Sequence, residues 1–289
     1  MDHTAGLPAS ERSDAQKERA CVIIPARYGS TRLPGKPLLD IAGRPMIVRV
    51  AERAASARSV ERVIVATDDE RVCLAVRAAG FEAVMTRAEH RSGSDRVAEV
   101  ARELVDFTCI VNLQGDEPLI SPQTIERAVR ALIADRRAQV VTCYERIAEP
   151  GEVLDPDVVK IVIDERGYAL YFSRAPIPFP RDAVQRYGSL EEALRAEPAL
   201  LATFRKHTGL YAYRRDFLLE YSQERASDLE CIESLEQLRA LGMGARIRAI
   251  EVNAPTIGVD TFEDLMRVRA IWERGESEER INLAGGGDA

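Results

Sequence analysis

The sequence predicts an α/β fold: a mostly parallel Rossmann-like sheet with helices on both faces, plus a smaller inserted α+β lobe. Three observations predict it. From residue 20 to about 143, short apolar runs alternate with segments of helical period. The runs are apolar at nearly every position, as strands covered on both faces are. From about 145 the pattern changes to a hairpin, an irregular stretch, and then strands and helices again.

The elements follow in order. Cys21–Ile24 is an apolar run stopped by Pro25, a buried strand. Pro45–Ala57 carries Met46, Val50 and Ala54 at helical spacing, with proline in the first turn. Arg62–Ala66 is a strand, and Asp69–Ala79 a helix closed by Gly80. Glu82–Met85 is a brief strand and Ser94–Val105 a helix. Thr108–Leu113, Pro122–Ala134 and Gln139–Cys143 read as strand, helix and strand. Val158–Ile163 and Tyr168–Phe172 form an antiparallel pair about the turn Asp164-Glu165-Arg166-Gly167. Residues 175–202, rich in proline and charge, read as irregular. His207–Tyr213 is a strand, Glu230–Leu241 one helix, Arg246–Val252 a strand, and Asp260–Trp272 a closing helix.

These patterns divide the chain into a disordered lead-in at 1–19, a core at 20–150 and 246–275, an inserted lobe at 151–245, and a flexible tail at 276–289. The lobe is expected to lie within one continuous sheet. No internal repeat is visible.

Of the 289 residues, 46% are hydrophobic and 30% charged, a mix able to bury a core. The net charge of -7 argues against a nucleic-acid partner or an anionic membrane surface. An anionic ligand must therefore meet a local basic cluster. The five cysteines (21, 73, 109, 143 and 231) form no metal knuckle or CxxC pair and read as thiols of a reducing compartment. The polar start excludes a signal peptide, and no apolar stretch is long enough for membrane insertion. The expectation is a cytoplasmic protein.

The most informative segment is Pro25-Ala26-Arg27-Tyr28-Gly29-Ser30-Thr31-Arg32-Leu33-Pro34-Gly35-Lys36-Pro37. It holds three cations and no acid. Gly29 and Gly35 let backbone N–H groups approach a ligand, and the loop follows a strand, where a phosphate site belongs. It is not a Walker A loop: five residues separate the glycines, and Lys36 precedes proline rather than Ser or Thr. A dinucleotide GxGxxG is also absent. The plainer alternative is a solvated basic turn.

Phosphoryl chemistry calls for a metal, and a metal for carboxylates. Asp116, in Asn112-Leu113-Gln114-Gly115-Asp116-Glu117-Pro118, and Asp260, in Gly258-Val259-Asp260-Thr261, sit after strands and are candidates for one shared cation. Helix capping is the competing reading for Asp260, and for Asp68 and Asp69 after Thr67. Ser92-Gly93-Ser94-Asp95-Arg96 opens a helix; Ser92 is a cap or Gly93 admits a base or ribose. In the lobe, Arg174 and His207 are candidates for an acceptor. Glu233 and Gln237, four apart, are expected on one helix face, beside an apolar stripe of Ile232, Leu235, Leu238 and Leu241.

These residues resemble the 3-deoxy-manno-octulosonate (Kdo) cytidylyltransferases. Ile23–Arg27, Ser30–Pro37, Ile64–Asp68, His90–Arg96 and Val111–Pro118 carry the likeness in the core. Gly167–Arg174, Lys206–Tyr211, Leu235–Arg239 and Gly258–Thr261 carry it beyond, over roughly residues 20–275. The first block marks sugar nucleotidyltransferases broadly; Tyr-Phe-Ser-Arg and Leu-Glu-Gln-Leu-Arg are more specific. Gly29 stands where relatives often have alanine, and Ser94-Asp95 where Thr-Glu is common.

The resemblance implies a nucleotide-diphospho-sugar transferase fold and the reaction CTP + Kdo → CMP-Kdo + diphosphate, for lipopolysaccharide biosynthesis, with Mg2+ as cofactor. It makes Arg27, Arg32, Lys36 and Asp116 catalytic and gives Asp116 and Asp260 the metal. CTP would lie on Ala26, Arg27, Ser30, Arg32, Lys36, Thr67, Asp68, Ser92, Gly93 and Gln114. Kdo would be held by Gln114, Arg174, His207, Glu233, Glu236 and Gln237. The implied assembly is a homodimer through the lobe. A transferase for another acid sugar, such as a sialic acid or 8-amino-Kdo, and a non-catalytic CTP-binding protein are the alternatives.

Overall fold

Strand β1 (Ala20–Ala26) is buried at every position, and its alternate residues enter two different cores. Val22 and Ile24 face one apolar cluster, while Cys21 and Ile23 face another. A strand with apolar side chains on both faces needs a helical layer on each. The first layer brings Ile47, Val50, Val72, Val76, Ile125 and Val129. The second brings Val97, Val100, Phe217, Leu218, Tyr221 and Leu238. The fold is therefore α/β with a central sheet, as expected. The structure, a computed structural model, describes residues 18–29, 33–90, 92–253 and 257–285, with side-chain surroundings to residue 275.

The remaining strands are β2 (Asp40–Ile41), β3 (Arg44–Pro45), β4 (Arg62–Thr67), β5 (Glu82–Met85), β6 (Cys109–Asn112) and β7 (Val140–Arg146). Beyond them lie β8 (Lys160–Ile163), β9 (Ala169–Ser173), β10 (Arg205–Arg214) and β11 (Ile247–Glu251). The main sheet runs β11-β7-β10-β6-β1-β4-β5, while β2 and β3 form a separate small ribbon. Pairings β1–β4, β1–β6, β4–β5 and β7–β11 are parallel. Strand β10 is antiparallel to both β6 and β7. It also pairs with β8 at Lys206–Lys160, and β8 pairs antiparallel with β9. The lobe thus grows from the main sheet through β10.

Several expectations need correction. The lobe is not cleanly 151–245, because β10 lies at the centre of the core sheet. Residues 175–202 are not irregular: they hold helices Arg181–Tyr187 and Leu190–Ala196 and a 3-10 turn, Pro198–Thr203. The prolines sit before or at the starts of these elements, where a missing N–H costs nothing. Gly188 in a left-handed conformation ends the first helix, and the Ser189 hydroxyl accepts from Glu192 N–H to cap the second.

Glu230–Leu241 is not one helix. Ser234 adopts a left-handed φ of 53° and splits it into Asp228–Glu233 and Gln237–Gly242. Glu233 and Gln237 therefore share no helix face, and Ile232 leaves the apolar stripe at 79% exposure. Helix Arg215–Tyr221 was not expected, and the closing helix runs Phe262–Gly285, past its expected end and through the first part of the expected tail. Residues 1–17 of the lead-in and 286–289 of the tail lie outside the described residues.

Candidate active site

Three strand ends meet above β1. Pro25 and Ala26 close that strand, Gln114, Gly115 and Asp116 follow β6, and helix Gly93–Ala101 starts beside them. Their approach is close. A Cβ on Gly115 would lie 3.0 Å from the Pro25 carbonyl oxygen and 3.2 Å from Ile47 Cδ1, so only glycine lets the turn sit there. Gly93 packs against Pro25 in the same way, with 3.4 Å available. The result is a cavity of about 450 Å³, lined by Ala26, Arg27, Lys36, Ser92, Gln114, Asp116 and Asp260 among others. Glu236 reaches it from the lobe.

Two features make this an anion site. The helix at Gly93 points its N-terminal end, the positive end of the helix dipole, into the cavity. Ser92 caps it reciprocally with Asp95, the Ser92 hydroxyl accepting from Asp95 N–H at 3.1 Å. Arg27 supplies charge, and its guanidinium donates to the His90 carbonyl. His90 is in turn held at its Nε2 by Glu99. Nothing in one dimension marks His90 or Glu99 as the anchor of an arginine 63 residues away.

The loop arrives at Lys36 through Gly35, whose φ of 67° a side-chain-bearing residue rarely adopts. The Tyr28 ring packs on that glycine, and the Arg71 guanidinium stacks over the ring at 3.5 Å. Lys36 is 13% exposed, and its Nζ donates to Asp116 Oδ2 at 2.6 Å and to Asp260 Oδ1 at 3.1 Å. The two aspartates thus converge on one cation. Val259 N–H donates to the Asp116 carbonyl at 2.9 Å, tying the two loops together. Leu33, Leu39, Ile41, Val259, Leu265 and Val268 share an apolar cluster that docks the closing helix beside the loop.

This donor set fits a hard divalent cation, since two carboxylates already surround an ammonium. Among the described residues, no group of three His, Cys, Asp or Glu side chains could hold a metal alone. The other ligands would come from phosphate oxygens and water.

Thr67 and Asp68 lie away from the cavity. Thr67 is fully buried, its hydroxyl accepting from Asp69 N–H, and Asp68 pairs with the buried Arg96 at 2.7 Å. Asp69 caps the next helix, as the capping reading had it. Ser30 and Arg32 lie outside the described residues.

The lobe residues form a second group. Ser173 Oγ donates to Glu233 Oε1 at 2.6 Å, and Arg174 N–H donates to Glu233 Oε2. The Arg174 guanidinium donates to the Glu233 and Pro156 carbonyls. Lys160, fully buried, holds the same loop by donating to the Asp155 and Val158 carbonyls, and burial lowers its pKa. His207 shares a hydrogen bond with Thr142 Oγ1 at 2.8 Å and packs edge-on to Phe172. Burial pushes its pKa down to about 3, so the ring is neutral at physiological pH. Burial raises the Glu236 carboxyl above its ordinary value, and Gln237 is buried beside it. The two groups meet where β10 bulges between Thr208 and Tyr211, and a Cβ on Gly209 there would lie 3.9 Å from Glu117 Oε1 and 4.0 Å from Gln114 Cγ.

Comparison with known proteins agrees with this architecture. A sequence profile of the cytidylyltransferase family matches residues 21–247. The 3-deoxy-manno-octulosonate cytidylyltransferase of Syntrophotalea carbinolica is 50% identical over 86% of this chain and 96% of its own. That of Geobacter sulfurreducens is 50% identical over 85% and 96%. A solved structure of CMP:2-keto-3-deoxy-manno-octonic acid synthetase complexed with CTP is 47% identical, with a TM-score of 0.80 over 89% of this chain and 100% of that one. A 4-diphosphocytidyl-2C-methyl-D-erythritol synthase from Anaerococcus prevotii, 12% identical with a TM-score of 0.56, shares the fold alone. The chain belongs to the cytidylyltransferase family and, within it, to the 3-deoxy-manno-octulosonate cytidylyltransferases.

Proposed function

We propose that this enzyme transfers the cytidylyl group of CTP to Kdo, releasing diphosphate, as a step of lipopolysaccharide biosynthesis. The observation that carries the reading is the meeting of Asp116, Asp260 and Lys36 at the cavity that Arg27 and Gly93 line. The sugar's anomeric hydroxyl oxygen attacks the α-phosphorus and its proton passes to water, the bond from the α-phosphorus to the bridging oxygen breaks, and diphosphate leaves with that electron pair. Arg27, Lys36 and the helix end at Gly93 neutralise charge that builds on the departing diphosphate. Asp116 and Asp260 would hold Mg2+, which supplies charge neutralisation at the α-phosphate and lowers the pKa of the attacking hydroxyl. Gln114 and Glu236 face the cavity and orient the acceptor, while the neutral His207, hydrogen-bonded to Thr142 in the lobe group, supports that side of the site as a neutral ring rather than a cation.

Diphosphate release tests this reading, with CTP, ATP, GTP or UTP, each with and without Kdo and Mg2+. Release with CTP and Kdo together is expected; none from folded protein removes the reading. A panel including sialic acid and 8-amino-Kdo decides the acceptor. Arg174→Ala is expected to raise the KM for Kdo roughly 10- to 100-fold, the loss of a hydrogen bond to a charged group, with the KM for CTP unchanged. An unchanged KM for Kdo takes Arg174 out of the site.

The proposed assembly is a homodimer through the lobe, supported by Leu170 and Phe179, exposed at 59% and 61%. Light scattering is expected to read twice the 32.0 kDa chain mass. Among the described residues, no helix is long and apolar enough to cross a membrane. The free thiols of Cys21, Cys109 and Cys143, pushed up to about 12 by burial, support a cytoplasmic location.

A further inference from the structure

We infer that Glu99 and His90 are positioning residues, which hold Arg27 at the cavity wall before a nucleotide arrives. The inference rests on the proposed contact of Arg27 with the triphosphate. Helix Gly93–Ala101 braces the loop that leads into it. Its Arg96, fully buried, donates from Nη1 to Thr86 Oγ1 and from Nη2 to Asp68 at 2.7 Å. About one turn further on, Glu99 accepts from Arg87 N–H at 3.3 Å and from Arg87 Nε at 3.4 Å. The same carboxylate shares a hydrogen bond with His90 Nε2. Asp95 closes the loop through its reciprocal cap with Ser92. One helix thus grips the loop at Thr86, Arg87, His90 and Ser92. The His90 carbonyl of that loop accepts from Arg27 Nη2.

A carbonyl can steer an arginine only if the carbonyl is itself fixed. The His90 side chain is 8% exposed and tied to Glu99, so the backbone at that residue is held. Arg27 needs such a hold. Its guanidinium lies close enough to the buried Arg96 for the two like charges to repel. Its long side chain also loses much rotamer freedom whenever it is ordered. The bond to His90 uses one of five guanidinium N–H groups and leaves the others for phosphate oxygens. An arginine already in place loses less freedom when a triphosphate binds, and it meets charge developing on the phosphates without reorganising.

Calorimetric titration of the full-length protein with cytidine 5′-(α,β-methylene)triphosphate, beside steady-state kinetics, tests this through a double-mutant cycle. Glu99→Ala and His90→Ala, each checked for wild-type circular dichroism, are expected to bind the analogue roughly 10-fold more weakly than wild type. The KM for CTP rises with that loss, and the KM for Kdo stays unchanged. Glu99→Gln keeps an acceptor for His90 and Arg87 and is expected to restore most of the affinity. In an Arg27→Ala background, Glu99→Ala is expected to change the affinity by less than about 2-fold, because the arginine it positions is gone. If Glu99→Ala does not fold, His90→Ala takes its place in the cycle. An equal loss with and without Arg27 makes the brace merely structural and overturns the inference, as does wild-type affinity in both single variants. If Arg27→Ala alone binds the analogue as wild type does, the proposed contact of Arg27 falls and the positioning role falls with it.

Discussion

Asp116→Asn is expected to lower kcat by roughly 10³-fold or more, the scale lost when a charge-stabilising group leaves a transition state. The substitution keeps size and shape and removes one negative charge from a pair that shares one cation. The fold should survive. The Asp116 side chain is 31% exposed, and the contact that ties its loop to Val259 uses the backbone carbonyl, which asparagine retains. Lys36 also keeps its ion pair with Asp260 when Asp116 is replaced, so its charge is not left unpaired. Steady-state kinetics beside thermal melting checks both halves. Near-normal turnover would remove Asp116 from the chemistry; a collapsed melting temperature would make it structural.

The second large effect is on stability and lies in the lobe. Glu230→Ala is expected to cost about 3–5 kcal/mol, the range for removing one partner of a buried ion pair. Arg239 donates to Glu230 from both Nε and Nη2 at 2.8 Å, and the side chains are 8% and 11% exposed. Without Glu230, the guanidinium stays buried over the Tyr221 ring, hydrogen-bonded to the Tyr221 and Glu224 carbonyls but without its bidentate carboxylate. Glu230 also completes the capping box with Ser227 at the start of its helix. Urea unfolding reads the loss, and a change below about 1 kcal/mol would show that the pair is not buried in solution. Replacing both partners, as Glu230→Leu with Arg239→Met, should recover most of the stability, because apolar pairs of similar volume substitute well for buried ion pairs.

That region also shows where sequence reasoning stops. The apolar spacing from Ile232 to Leu241 reads as one helix because periodicity registers side chains and not backbone breaks. Ser234 can take a left-handed conformation, but nothing adjacent in sequence says that it does. The break sends Glu233 to Ser173 and Arg174 and leaves Gln237 buried, so two neighbours on paper serve different places. The stretch at 175–202 failed for a related reason. Its helices span seven residues each, too short for a periodic signal, and the flanking prolines look like breakers when they are starters. Strands β1, β4, β5 and β6 and helix Pro122–Ala134 were legible because their apolar runs are continuous or strongly periodic.

By itself the sequence determined the class of sheet, the basic glycine-bearing loop after the first strand, and the aspartates and arginines available for phosphoryl chemistry. Each is local, a matter of which side chains stand within a few residues of one another. Tertiary structure alone decided which of them meet. It placed β10 between β6 and β7, an antiparallel strand in a parallel sheet. It turned Asp68 to Arg96 and set Asp116 and Asp260 on either side of Lys36. Pairings of this kind depend on chain crossings and on the packing of Val259 and Leu265 against Leu33 and Ile41, contacts between residues more than 200 positions apart. No local pattern encodes them.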